Sequence, residues 1–341
     1  MSAQHTSVQI NHDVVGIGNA LMDVIGSTDE GFLSAYDIPR GGMQLIDAEE
    51  AATLERALRA GGGMITETAG GSAANTVAGM AELGLRTAFI GKVASDPTGR
   101  AYAEAMAGSG VLFSTRPEPE PATGRCLVAV TPDGERSMST HLGISPMFAK
   151  ADVDAALVRG AAYLYLEGYL FDSEATKTAF VYAAELAKAA GRQVALTLSD
   201  TFCVEAHRAS FRSFTENQAD ILFANEAEAL SLYDTDTLYD VVDRLELADT
   251  LSFITRGAAG VIVVDGPHRH EVEAVSVANV VDTTGAGDQF AAGTLAGLVM
   301  GLDPADAARL GCLAASEVIG HYGPRPETSV HALAVGPEEA E

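Results

Sequence analysis

The chain has 341 residues, 47% of them hydrophobic, enough for a sizeable core in a single large α/β domain with a small appendage. Its 47 Asp and Glu against 21 Lys and Arg leave a formal net charge of −26, which argues against nucleic acid and anionic membranes as partners. Three scattered cysteines, Cys126, Cys203 and Cys312, argue against a disulfide framework or zinc site. With no secretory leader and no apolar run near the roughly 20 residues of a membrane span, they predict a cytoplasmic protein.

In chain order, Val14 to Ile17 is a short apolar run ending in Gly18 and Asn19, the pattern of a buried strand. A second short strand is expected at 43–46, followed by a helix at 47–60 with an acidic start and later arginines that match the helix dipole. The glycines at 61–63 stop it. Gly70 and Gly71 then open a helix of small residues, Thr87 to Ile90 reads as a strand, and 97–109 as a helix. The segment 122–141 differs, because it alternates apolar and polar residues around a Pro-Asp-Gly turn, the pattern of a β-hairpin. Such a hairpin inside a βα chain predicts a small sheet apart from the main one.

Thereafter strands at 163–166, 194–198, 221–223 and 252–255 alternate with helices at 173–190, 204–214 and from 225. An antiparallel pair follows at 261–264 and 271–276, then helices at 287–301 and 304–320. This rhythm predicts a mostly parallel sheet covered on both faces. The Pro- and Glu-rich stretch from Gly323 onward is expected to fray.

The segment with most chemical content is Asp282-Thr283-Thr284-Gly285-Ala286-Gly287-Asp288, at the start of a long apolar helix. A Gly-Ala-Gly turn there exposes backbone N–H groups without helical acceptors, and with the helix dipole they form an anion site. Asp288 in the adjoining first turn is placed to take a proton from an acceptor hydroxyl during phosphoryl transfer.

This motif resembles the signature of the ribokinase-like (PfkB) carbohydrate kinases. So do Gly18 to Asp23 (GNALMD), Ala69 to Asn75 (AGGSAAN), Gly134 to Ser137 (GERS) and Asp220 to Glu228 (DILFANEAE), in the same order and spacing, with the adenosine kinase branch most similar. The resemblance implies a Rossmann-like α/β/α sandwich at 12–330, a small β lid from segments 24–46 and 112–142, and an acidic tail at 331–341. It implies ATP and Mg²⁺, with K⁺ beside the anion hole near Gly320 to Gly323. Asp23 would bind two sugar hydroxyls, with Asn19, Gly71 and Asn75 as neighbouring substrate contacts. Gly285, Ala286, Gly287 and Arg136 would stabilise the moving phosphoryl group, and Asp288 would be the base. Asn225, Thr255, Gly257 and Asp282 would serve ATP. Glu228 would organise Mg²⁺ through water. Tyr169 and Phe171 would lie against a nucleoside base.

Ala20 stands where the branch often has proline, and Thr284 where its eukaryotic members often have asparagine. Adenosine, another nucleoside and a free sugar therefore all stay open as acceptors, as does a nucleoside sensor on a dead kinase scaffold. Either a monomer or a homodimer suits the resemblance. Gly16-x-Gly18-x-x-Leu21 lacks the third glycine of a dinucleotide fingerprint, and His268-x-His270 sits in a turn without nearby cysteine.

Overall fold

The computed structural model describes residues 9–61, 63–330 and 333. In chain order its strands are β1 (His12–Ile17), β2 (Leu21–Ser27), β3 (Met43–Leu45), β4 (Ile65–Gly70), β5 (Thr87–Ile90), β6 (Leu112–Phe113), β7 (Thr123–Val130), β8 (Arg136–Gly143), β9 (Ala161–Glu167), β10 (Gln193–Thr197), β11 (Ile221–Asn225), β12 (Leu251–Thr255), β13 (Val261–Asp265) and β14 (His268–Val272). Nine form one sheet in the order β14-β13-β12-β11-β10-β9-β1-β5-β6, parallel from β6 through β12 and antiparallel at β13 and β14.

The parallel strands are apolar on both sides because both faces are covered. Val15, Ile17, Leu164, Leu166, Leu196 and Ile254 face one core, beneath helices that include Glu174–Ala189 and Thr201–Asn217. Val14, Phe89, Tyr165, Phe223 and Phe253 face the other, against helices Ser72–Glu82, Pro97–Gly108 and Ala286–Val299. The result is the α/β/α sandwich expected from the βα rhythm. Helix Leu238–Glu246 lies outside the elements read from the sequence, although Leu238, Val241, Val242 and Leu245 have helical spacing behind an N-capping Thr237.

A second sheet has the order β3-β8-β7-β2-β4. Its hairpin β7–β8 closes through the Pro-Asp-Gly turn, where Thr131 Oγ1 donates to Asp133 Oδ1 at 2.6 Å and Gly134 adopts φ 86°. Side chains alternate across this sheet. Val24, Leu127 and Ala129 pack with Ala51, Leu54 and Leu58 of helix Ala48–Ala60. Asp23, Cys126, Val128, Met138 and Thr140 face the large sheet across a cavity.

The small sheet therefore draws on more of the chain than segments 24–46 and 112–142. Strand β2 begins at Leu21, β4 was not anticipated, and Leu112–Phe113 pairs with β5 in the large sheet. The stretch after Gly323 also departs from the expected fraying: Pro324 and Val330 are buried, and Val330 packs near Leu83 and Ala314. The acidic tail 331–341 lies outside the described residues, Leu333 excepted.

Candidate active site

The parallel strands end beneath the small sheet at a cavity of about 490 Å³. Ligand sites of open α/β sheets form at such carboxyl ends. Strand β1 delivers Asn19 to it, and β2 delivers Leu21 and Asp23 on the same side of the small sheet.

Gly71 caps helix Ser72–Glu82 with φ 98°, and a Cβ there would stand 2.1 Å from the carbonyl oxygen of Asn19. Only glycine permits this backbone at that closeness. The turn aims the first helical residues at Asp288: Ser72 Oγ donates to Oδ1 at 2.6 Å and Asn75 Nδ2 to Oδ2 at 3.1 Å. Burial raises the Asp288 carboxyl above its ordinary range, opposed by these two bonds and by the charge of Arg325. The result is a carboxyl group of raised proton affinity with both oxygens fixed.

Asp23 is pushed up to about 7 by burial, opposed by Arg136 and Arg325 and reinforced by Asp288. Arg136 lines the cavity and is paired with Asp282, both side chains buried. Asp282 itself does not line the cavity. Its carboxylate accepts from the backbone N–H of Thr284 and of Gly323, each at 3.0 Å. Burial raises its pKa, but those bonds and Arg136 outweigh burial and hold it below the ordinary range. Asp282 thus braces the loop Thr283 to Gly287 from behind and fixes Arg136.

Within that loop Thr283, Thr284, Gly285 and Gly287 line the cavity and Ala286 does not. The Ala286 N–H donates to Thr283 O at 3.2 Å, so this amide is turned back into the loop. Gly285 has φ 78°, and a Cβ there would meet Pro324 at 2.6 Å.

Across the cavity Asn225 and Glu228 form a capping box at the start of helix Glu226–Tyr233. Asn225 donates to Glu228 from its backbone at 2.9 Å and from Nδ2 at 2.7 Å. Burial pushes Glu228 up to about 7, opposed by the Asn225 backbone bond and reinforced by Asp200. Both residues line the cavity, as does Asp200. Among the described residues no three His, Cys, Asp or Glu are grouped as direct metal ligands. The hard oxygens of Glu228 and Asp200 fit a magnesium ion held through its waters.

The two aromatic candidates separate. Tyr169 lines the cavity, its ring 6.3 Å from that of Phe202, which lines it too. Phe171 is 2% exposed and stacks on Phe211 at 4.1 Å inside the core, between Phe180 and Phe214. The two residues lie on a 3₁₀ turn, Gly168–Asp172, whose threefold geometry turns Phe171 away from the direction of Tyr169. Thr255 and Gly257 are likewise outside the cavity. Thr255 sits beside Asn225 in the pairing of β11 with β12, and Gly257 begins the turn after it.

Several lining residues were not anticipated. Ser72 lies within the Ala69 to Asn75 motif and carried a readable signal. Glu167 ends an apolar strand and is 1% exposed. It accepts from Asn19 N at 3.2 Å, Asn19 Nδ2 at 2.9 Å and Ala73 N at 2.8 Å. Burial pushes it up to about 7 against those three donors. It ties the loop after β1 to the helix that carries Ser72. The apolar wall of Met43, Leu45, Val128, Met138 and Leu142 comes from the small sheet.

Known proteins share this fold. The sequence profile of the pfkB family carbohydrate kinases matches residues 43–330. A crystal structure of adenosine kinase from Sinorhizobium meliloti is 42% identical, with a TM-score of 0.87, covering 95% of this chain and 98% of that one. A probable sugar kinase protein from Rhizobium etli CFN 42 is 40% identical, with a TM-score of 0.88, covering 96% and 99%. Adenosine kinase 1 of Arabidopsis thaliana is 27% identical over 91% of this chain and 94% of its own length. No helix among the described residues is long and apolar enough to cross a membrane. The chain belongs to the pfkB family of carbohydrate kinases and is a phosphotransferase acting on an alcohol group.

Proposed function

We propose that the protein transfers the γ-phosphoryl group of ATP to the 5′-hydroxyl of adenosine, giving AMP and ADP. The observation that carries this reading is the cavity's division of labour. One end holds Asp288 between Ser72 and Asn75, beside Gly285 and Gly287. Elsewhere, beside the polar Asn19 and Asp23, the lining includes the apolar and aromatic side chains Leu21, Met43, Leu45, Met138, Tyr169 and Phe202. A free sugar has no planar apolar face to cover such a wall, whereas a purine does.

Asp23 accepts from the vicinal ribose hydroxyls, and Asn19 and Asn75 add donors and acceptors beside it. Asp288 takes the proton of the 5′-hydroxyl as the bond to phosphorus forms. Arg136 and the amides near Gly285 and Gly287 neutralise charge on the moving group. Magnesium would offset the charge of the ATP phosphates, and Glu228, with Asn225 locked to it, would hold the ion through its waters. Thr255, beside Asn225, and Gly257, both outside the cavity lining, would contact the ATP phosphates.

A free-sugar acceptor is the second reading, because the Rhizobium etli relative is named as a probable sugar kinase at nearly the identity of the adenosine kinase. ADP release from ATP, with Mg²⁺ and K⁺, across adenosine, inosine, guanosine, cytidine, ribose and fructose separates the two. Turnover with adenosine and little with ribose or fructose is expected; turnover confined to a free sugar removes the base pocket from the account.

A further inference from the structure

Behind Asn75, on the side away from the cavity, stands a guanidinium that no motif singles out. Arg325 follows Pro324, whose carbonyl accepts from Gln289 Nε2 at 2.9 Å, one residue beyond Asp288. Arg325 Nε donates to Asn75 Oδ1 at 3.4 Å, Nη1 to Ser109 Oγ at 2.7 Å and Nη2 to the carbonyl of Ala69 at 2.5 Å. One side chain thus joins β4, the helix that carries Ser72 and Asn75, and the end of helix Pro97–Gly108. Its hydrogen-bond acceptors are all neutral.

The contact with Asn75 decides which way that amide faces. With its oxygen toward Arg325, the Asn75 nitrogen is left to donate to Asp288. The reverse orientation would set a carbonyl oxygen against a carboxylate and an amino group against a guanidinium, two repulsive contacts.

We propose that Arg325 is a positioning residue for phosphoryl transfer, which holds the amide of Asn75 toward Asp288 and keeps a positive charge behind Asp288 and Asp23. The proposal rests on Asp288 acting as the base. Several groups face Asp288: Arg325 from the C-terminal segment, Asp23 from β2, Tyr165 and Glu167 from β9, and Tyr169 from the turn beyond. Arg136 faces Asp23 from β8. Of the groups acting on Asp288, Arg325 alone favours its ionised form through charge, while the acids oppose it. Loss of Arg325 therefore moves the ionisation of Asp288 to higher pH and frees Asn75 to turn.

The test is the pH profile of kcat for wild type, Arg325→Met, Arg325→Lys and Asp288→Asn, with adenosine or whichever acceptor of the panel the wild type turns over. Arg325→Met is expected to shift the acid limb upward by about one unit, so that kcat falls by up to about tenfold on the acid side of that limb and little on the plateau above it. Arg325→Lys is expected to keep the acid limb near that of wild type, since it keeps the charge. If Arg325→Met does not fold, Arg325→Gln takes its place, with a donor for Asn75 but no charge. A lowered thermal midpoint with an unmoved acid limb in the neutral variant would reduce Arg325 to a clamp of the fold and overturn the proposal. Wild-type turnover in Asp288→Asn would instead remove the base reading itself, and the proposal with it.

Discussion

Ser72 and Asp288 are 216 positions apart, yet the Ser72 hydroxyl donates to the Asp288 carboxylate at 2.6 Å. The bond joins the N-termini of two helices, each opened by a glycine with positive φ, Gly71 and Gly285. Two glycine turns therefore fix the geometry around Asp288, and in the proposed reaction one would lie on the acceptor side and the other on the phosphate side.

Replacement of Asp288 by Asn is expected to lower kcat by about 100- to 10,000-fold, the usual range for a general base, while adenosine binding by calorimetry changes little. Ser72→Ala is a milder change. Without the Ser72 bond the Asp288 carboxyl rises further, so activity at acid pH suffers first. A loss of kcat of up to about tenfold is expected on the acid side of the profile, and little on its alkaline plateau.

Arg136 and Asp282 form a buried pair, with side chains 5% and 4% exposed. Removing one partner of such a pair leaves a stranded charge and costs about 3–5 kcal/mol. Urea unfolding of Arg136→Met and of Asp282→Leu should each show a loss of that order. The double variant should recover much of the stability and none of the activity, because Arg136 faces the cavity in its own right.

Glu228 carries a prediction in pH. Its folded pKa, about 7, exceeds the ordinary 4.5, so the folded state binds the proton more tightly than the unfolded chain does. Its favourable contribution is complete below about 4.5 and is lost as pH rises through about 7. The thermal midpoint of the ligand-free protein should therefore fall between pH 6 and pH 8. Glu228→Gln keeps a capping-box side chain without the charge. It should lessen that fall without abolishing it, because Asp23 and Glu167 are raised in the same way, and added Mg²⁺ with ATP at pH 8 should stabilise it less than wild type.

Tyr169 and Phe171 were equal candidates in sequence and are opposite in structure. Tyr169→Ala, or Phe202→Ala beside it, should raise the KM for adenosine about tenfold, since stacking on a base is worth about 1–3 kcal/mol. Phe171→Ala should leave KM near wild type and cost about 3–5 kcal/mol of stability, measured by urea unfolding.

These contrasts mark what a sequence makes legible. The βα rhythm and the Asp282 to Asp288 loop are local patterns, visible because neighbouring residues cooperate in one turn or strand. Glu167 and Arg325 have no such local signature. Glu167 acts on Asn19 from 148 positions away, and Arg325 on Asn75 from 250. Strand β4, Ile65–Gly70, escapes detection because its residues, ITETAG, lack a clear apolar alternation. Pairing with β2 imposes its structure. The Pro- and Glu-rich composition after Gly323 suggests a loose end, but Pro324 packs so closely on Gly285 that no Cβ fits there, and no pattern within the segment announces that contact.

The central claim is tested most directly by comparing adenosine with 5′-deoxyadenosine in the presence of ATP, Mg²⁺ and K⁺, with product identified by phosphorus NMR. The account predicts a phosphomonoester at the 5′ position of adenosine. It predicts no product from 5′-deoxyadenosine, which should nevertheless compete with adenosine. Efficient phosphorylation of ribose or fructose, with adenosine neither phosphorylated nor competing, would contradict it.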